Sequence, residues 1–138
     1  MSLAKGFLLF SSLLIGSFAS DSPPSAIRVK VDVSLVGDDG LTQNLRVTLR
    51  RHIVSSNDLQ LSPGDEHAFR ITTSTNVVAD TLGGRGVLIY RALLFRRDEM
   101  LADRMGVCFQ RDVGKCASDI VRSFEPVMID YAARGELP

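Results

Sequence analysis

The sequence predicts a two-layer α+β sandwich with the element order β-α-β-β-β-α, in which two helices cover one face of a four-stranded, mostly antiparallel sheet. Three observations predict this fold. Segments 27–35 and 67–78 alternate apolar and polar residues, which is typical of strands with one buried face. Segment 85–109 has the pattern of two strands joined by a turn, and two other stretches carry apolar residues at helical spacing. Stacking both helices on one sheet face gives each apolar stripe a surface to pack on.

The first half of the chain is a strand followed by a helix. After the strand 27–35, Asp38 or Asp39 is a candidate N-cap, and the helix should close near Asn57. Its apolar stripe is traced by Leu41, Leu45, Leu49, His52, Ile53 and Ser56. His52, at the margin of that stripe, is more typical of a structural histidine than of a ligand or a base. The segment 59–61 has the pattern of a short extended piece.

The central hairpin turns at Arg97-Asp98-Glu99, and strand alternation assigns its faces. Its first strand is apolar on both faces, which predicts a central strand covered on at least one side. One face carries Val87, Ile89, Leu93 and Phe95, and the other carries Leu88, Tyr90, Ala92 and Leu94. In the second strand, one face carries Leu101, Asp103, Met105, Val107 and Phe109, and the other carries Ala102, Arg104, Gly106 and Cys108.

A second amphipathic helix follows a cap signal at 110–112. Its stripe consists of Val113, Cys116, Ala117, Ile120, Val121, Phe124, Met128 and Tyr131. Pro126 lies within it, and because proline removes a helical hydrogen bond we expect a break or kink near Glu125. The sheet face turned away from the helices should be open to solvent or to a partner, and it carries Lys30, Arg70, Thr72 and Asn76.

The beginning of the chain predicts export. Residues 1–5 carry one positive charge, 6–18 form an uncharged apolar run, and small residues stand at the two positions that a signal peptidase reads in Ser17-Phe18-Ala19. We therefore predict a signal peptide at 1–19, a flexible lead-in at 20–25, one α+β domain at 26–134 and a loose tail at 135–138. The product would be periplasmic or secreted, with no stable membrane span after cleavage. The alternative is that the apolar run forms a buried N-terminal helix.

Export also decides how the two cysteines are interpreted. In an oxidising compartment an even number of cysteines favours a disulfide, here between Cys108 and Cys116. Strand alternation complicates the bridge, because Cys108 and Phe109 point to opposite faces, and if Phe109 faces the helices the bridge must wrap around the strand end. A bulge at Gly106 could re-aim Cys108. Two alternatives stay open, a zinc site that adds the two histidines, and a pair of buried free thiols.

Charge and motifs exclude several functions. The chain has 16 basic and 16 acidic residues, so it lacks the strongly basic surface of a nucleic-acid-binding domain. There is no Gly-x-Ser-x-Gly motif to expose a nucleophile, and Asp98 and Glu99 are adjacent on a turn, where charge usually means solvation. The glycine cluster 83–86 leads into a strand, whereas a phosphate cradle needs a helix N-terminus behind it. We predict no catalytic residue, no metal site and no cofactor.

Five arginines crowd the hairpin and its exit: Arg91, Arg96, Arg97, Arg104 and Arg111. Because arginine suits planar anionic groups, they are candidates for binding an anion or a partner. The alternative is a set of solvated ion pairs, for which the nearby carboxylates would be those of Asp98, Glu99, Asp103 and Asp112.

The arrangement resembles a group of small extracytoplasmic modules with a sheet and two helices. The resemblance rests on the strand 27–35, the helix that ends before 59–61, and the hairpin 87–109 followed by the helix 113–131. Such modules occur at the N-terminus of the periplasmic translocation protein TolB, in curli-secretion lipoproteins and in the lipopolysaccharide-assembly lipoprotein. The lipid-bearing Cys typical of two of these groups is missing. The resemblance implies an assembly or binding role in a bacterial envelope.

We therefore expect an exported, non-enzymatic binding or assembly-accessory protein of a bacterial cell envelope, which binds its partner through the open sheet face or the sheet edge. The alternative is a small exported enzyme or enzyme inhibitor, and a third reading is a structural subunit of an envelope assembly. A pocket that gathers His52 or His67 with a carboxylate would favour the enzyme. A large contiguous apolar surface patch would favour assembly.

Cleavage after Ala19 is the first testable prediction, because the charged start, the apolar run and the small residues all precede that bond. Intact-mass measurement of the exported protein from its native host should give a chain that begins at Ser20. A mass that still includes residues 1–19 in the exported fraction would contradict it.

Overall fold

A computed structural model describes residues 27–135. The elements, in chain order, are β1 (Val29–Val33), α1 (Gly40–Ser55), β2 (Leu59–Leu61), β3 (Phe69–Thr73), β4 (Val78–Leu82), β5 (Arg85–Arg96), β6 (Glu99–Phe109), a short 3₁₀ turn (Gln110–Asp112) and α2 (Val113–Ala133). The predicted α+β class is confirmed. The predicted signal peptide and lead-in, as well as residues 136–138, lie outside the described residues.

The sheet has six strands rather than the predicted four. The strand order is β2-β1-β3-β5-β6. β4 also pairs with β5, on the same edge as β3, and β6 pairs with the opposite edge of β5. β1 runs parallel to β2 and β3, and the pairs made by β5 are all antiparallel. The short piece 59–61 is the edge strand β2.

The additional strand arises because the predicted strand 67–78 is divided. β3 pairs with the second half of β5, at residues 92–96, and β4 pairs with its first half, at residues 85–89. Between β3 and β4, residues 74–77 lie outside both ladders with β5. β4 runs to Leu82, and the reversal into β5 uses Gly83 and Gly84, whose φ angles are +59° and +74°. Glycine adopts such angles without steric cost.

Asp39 caps α1, and Thr42 ties this cap to the loop between β3 and β4. The Asp39 carboxylate accepts hydrogen bonds from the Thr42 hydroxyl (2.6 Å) and from the backbone N–H groups of Thr42 (2.9 Å) and Leu41 (3.1 Å), which hold the pKa of Asp39 below its ordinary value. The same hydroxyl accepts from the N–H of Val77 at 3.1 Å. The start of α1 is thus tied to the loop between β3 and β4.

Both helices contribute to one hydrophobic core on one face of the sheet. On β5 the residues that face the helices are Leu88, Tyr90, Ala92 and Leu94, each no more than 3% exposed. They pack with the apolar residues of α1 and α2, of which the largest are Leu45, Leu49, Ile53, Ile120, Phe124 and Met128. The predicted alternation along β5 and its central place in the sheet are confirmed. Within residues 27–135, no helix is long and apolar enough to cross a membrane.

Of the break or kink expected near Glu125, the break is wrong, because α2 continues through Pro126 to Ala133. Proline removes one helical hydrogen bond and crowds the carbonyl four residues back, and both effects are local. Phe124 and Met128, on either side of it, are 1% and 0% exposed in the same core. Burial of both side chains against one sheet holds the two halves of the helix together.

Two neighbouring leucines on opposite faces of β5 test which face holds the core. The apolar pattern on both faces of this strand predicts Leu93 as a core residue whose truncation costs about 2–5 kcal/mol; Leu93 is instead half-buried on the face away from the helices, whereas Leu94 is fully buried under them. We expect Leu94→Ala to lower the free energy of unfolding by about 2–5 kcal/mol and Leu93→Ala by about 1 kcal/mol, measured by denaturant unfolding. A larger loss at Leu93 than at Leu94 would contradict this assignment of the faces.

Candidate functional site

The sheet face turned away from the helices is not covered at its β4–β5–β6 end by any part of the chain that the structure describes. We call it the open face; on β5 and β6 it carries the odd-numbered residues from Val87 to Phe95 and from Asp103 to Phe109. Its exposed apolar side chains include Val78 at 54%, Met105 at 69% and Val107 at 53%. These residues are too large and too apolar for an ordinary solvated face, where polar residues would alternate with the core.

Strand register brings these side chains together. Val78 of β4 lies opposite Ile89 of β5, which lies opposite Val107 of β6, so three apolar residues form a row across three strands. The row on one side of it contains Val87 opposite Phe109. The row on its other side contains Met105, which lies opposite Arg91. We call the five residues Val78, Ile89, Met105, Val107 and Phe109 the apolar patch; Val87 lies on the same face but is only 4% exposed. Contiguous exposed apolar surface of this kind marks interaction sites on soluble proteins.

Charged side chains surround the apolar patch. The guanidinium groups of Arg85 and Arg111 each lie 5.8 Å from the centre of the Phe109 ring. Arg91 pairs with Asp103, with its Nη2 and Nε at 2.9 Å and 3.2 Å from one carboxylate oxygen. An apolar centre within a polar rim is the usual composition of a protein–protein interface.

The other end of the open face is polar, as predicted from Lys30, Arg70 and Thr72. Lys30 is exposed and pairs with Asp65 at 3.1 Å, and the guanidinium of Arg70 lies 5.3 Å from the centre of the Phe95 ring. Asn76 is instead in the loop between β3 and β4. The open face is therefore polar over β1 and β3 and apolar over β4, β5 and β6. Sequence reasoning named its polar residues and did not identify the apolar patch, although the alternation of 87–109 contained the signal.

The five candidate arginines lie in three separate places. Arg91 and Arg111 are at the rim of the apolar patch. Arg104 is on the helix-facing side of β6, opposite Ala92, and is exposed. Arg96 and Arg97 are at the far end of β5, where Arg96 is only 5% exposed. The one ion pair among the predicted arginine–carboxylate partners in residues 27–135 is that of Arg91 and Asp103.

Cys108 and Cys116 form a disulfide, as predicted, with Cα atoms 5.6 Å apart. Cys108 pairs with Leu88 in the ladder and faces the helices, while Phe109 faces the other way, so the bridge runs directly to the first turn of α2. No bulge at Gly106 is needed, and the register shift of β6 is instead opposite Leu94 and Phe95. The bond uses both cysteines and so removes them from the zinc-site alternative.

The two histidines lie on the walls of separate cavities. His67 and Asp58 line a cavity of about 530 Å³ at the end of the sandwich, but no hydrogen bond or ion pair joins them within residues 27–135; the His67 Nε2 lies 3.5 Å from the carboxylate of Glu66. His52 lines a groove of about 510 Å³ whose described walls contain no carboxylate. His67 and Asp58 therefore share one cavity wall without a direct contact, and His52 has no carboxylate in its groove among the described residues.

No protein-family model matches the chain, and no curated protein has a sequence that matches it significantly. Among solved structures, the chain is similar to a minor lipoprotein from Acinetobacter baumannii, known from a crystal structure at 2.35 Å. The two share 16% sequence identity and align with a TM-score of 0.49 over 79% of this chain and 95% of the lipoprotein. A likeness at this level carries no conclusion about function.

Proposed function

We propose that the protein is an exported, non-enzymatic binding or assembly-accessory protein of a bacterial cell envelope, which engages another envelope protein through the apolar patch. The single observation that carries the proposal is that Val78, Met105 and Val107 are exposed on a folded sheet, with the partly buried Ile89 between Val78 and Val107 in one row. Leaving these side chains in water costs roughly 25 cal/mol for every Å² that a partner could have covered. A partner surface that packs on them recovers that free energy.

The rim supports a protein as the partner. Arg91 and Arg111 are the two candidate arginines that lie beside the apolar patch, and Arg85 joins them. Arginine and aromatic side chains are enriched among the residues that dominate protein–protein binding. We therefore assign Arg91 and Arg111 to the partner interface and Phe109, whose ring has two guanidinium groups 5.8 Å from its centre, as its aromatic anchor.

Two features support an extracytoplasmic location. The disulfide between Cys108 and Cys116 is typical of proteins that fold in an oxidising compartment. The sequence of residues 1–19 has the pattern of a signal peptide. A periplasmic or secreted protein with these properties meets envelope proteins rather than cytosolic ones.

The proposal is tested by charging the patch without disturbing the core. We expect the double variant Met105→Lys/Val107→Lys to fold with an unchanged thermal midpoint, because both side chains are more than half exposed, at 69% and 53%. Immobilised wild-type protein should capture a defined partner from solubilised native envelope, identified by mass spectrometry. The double variant should capture it at least about tenfold less, since desolvating a Lys in an apolar interface costs more than 1.4 kcal/mol.

The matched control places the same two lysines elsewhere. Val47 and Val54 on α1 are 51% and 63% exposed and lie away from the open face, so Val47→Lys/Val54→Lys should retain capture. Equal capture by the patch variant and the wild type would overturn the proposal. So would a wild-type protein whose patch only joins two copies of itself, which light scattering would detect as a dimer that the patch variant lacks.

A further inference from the structure

A cavity of about 530 Å³ opens at the end of the sandwich, where β1 and β3 begin and β5 and α2 end. Its apolar wall is formed by Ile27, Val29, Phe69, Ile129 and Ala132, and its polar wall by Arg28, Lys30, Asp58, His67 and Arg96. The volume lies within the range of about 300–1,000 Å³ that is common for small-molecule pockets. Apolar walls with a few polar groups are also typical of such pockets.

Arg96 is the unusual member of this wall. It shares the helix-facing side of β5 with Leu94 and is only 5% exposed, with its guanidinium 5.4 Å from the centre of the Phe69 ring. Its Nη1 is buried and has no hydrogen-bond partner among residues 27–135, and no carboxylate of those residues lies within ion-pairing distance. Burial, followed by the charge of Arg97, lowers the pKa of Arg96 below its ordinary value.

The neighbouring carboxylates are engaged elsewhere or turned to solvent. Asp65 accepts from the Lys30 ammonium at 3.1 Å and from the His67 backbone N–H at 2.8 Å. Glu66 lies 3.5 Å from the ring of His67, and Asp58 is exposed. An arginine stays protonated in proteins, and a buried cation without a partner destabilises the fold unless an anion satisfies it.

We propose that this cavity binds a small amphiphilic anion, whose carboxylate or phosphate head pairs with Arg96 and whose aliphatic part lies against Val29, Phe69 and Ile129. The planar guanidinium matches either oxyanion with paired hydrogen bonds. Arg28 and Lys30 add positive charge to the wall of the cavity, and the apolar residues take the tail. This site is separate from the apolar patch and does not depend on the proposed function.

The head group is tested first, by isothermal titration of the exported protein with four probes that share one tail. We expect saturable binding of decanoate or decyl phosphate below the concentration at which either forms micelles, and at least about tenfold weaker binding of decanol and of decyltrimethylammonium, because a charge-assisted hydrogen bond contributes about 1.5–3 kcal/mol. The stronger of the two anions identifies the head as carboxylate or phosphate. Decanol binding as tightly as both anions would overturn the proposal, as would the absence of saturable binding by either anion.

Variants then test the role of Arg96. Arg96→Met keeps the volume and removes the charge, so the preferred anion should bind about tenfold to a hundredfold more weakly, while the thermal midpoint without ligand stays equal or rises. Arg97 is the next residue after Arg96 and is not part of this cavity. The variant Arg97→Gln should therefore keep the affinity for the preferred anion within about threefold. Full affinity in Arg96→Met would overturn the assignment.

A second variant covers the case in which Arg96→Met fails to fold. Ala132→Phe adds a ring to the cavity wall from α2 and leaves Arg96 in place, so it should abolish binding of the preferred anion by filling the space for the tail. Met105→Lys/Val107→Lys should bind that anion as the wild type does, which separates this site from the apolar patch. Undiminished binding by Ala132→Phe would contradict the location of the site.

Discussion

Strand β5 is apolar on both faces, and the described chain has helices to cover only one of them. Alternation sends Leu88, Tyr90, Ala92 and Leu94 to the helices, where each is at most 3% exposed. The apolar stripes of α1 and α2 both pack against that side of the sheet. Several apolar residues on the opposite side, foremost Val78, Met105 and Val107, therefore stay in contact with solvent. The apolar patch is a consequence of how many elements residues 27–135 form, not of a local irregularity.

The disulfide fixes which side of β6 becomes the open one. Cys108 lies opposite Leu88 in the ladder and bonds to Cys116 in the first turn of α2. Residues of the same parity must then face the helices, and Met105, Val107 and Phe109 must face away. A slip of one residue in the β5–β6 register would exchange the two sets, so a single covalent bond and the register together determine that the patch points outward. Gly106 fits the same arrangement, because a side chain there would overlap the Tyr90 ring, whose hydroxyl would be only 2.2 Å from the added Cβ.

Short-range pattern was sufficient for the faces of 87–96 and 102–109, the cap at Asp39 and the pairing of the cysteines. It placed Leu101 on the face of Met105 and Val107, which is wrong, because the register shift at this point lets Leu101 pack against the core. Short-range pattern was insufficient where contacts with residues far away in the sequence determine the structure. The division of 67–78 into β3 and β4 depends on the 12-residue length of β5, along which two short strands pair in succession. Helix α2 continues through Pro126 because the core holds both halves. The arginines were grouped because they are near in sequence, whereas strand parity and the ends of the strands separate them. The burial of Arg96 follows from its parity with Leu94, but its cavity is built from the ends of elements far apart in the chain.

The central claim is that the hydrophobic core lies on the helix side of the sheet, while apolar side chains on the other side of β4, β5 and β6 are exposed to solvent. Methionine methyl resonances test it most directly, because Met105 on the open face is 69% exposed and Met128 under the sheet is 0% exposed. A soluble gadolinium chelate added to dilute exported protein, labelled at its methionine methyl groups, should broaden the Met105 signal strongly and leave that of Met128 nearly unchanged. Equal protection of the two methyl groups, down to the lowest protein concentration at which they can be observed, would contradict the account.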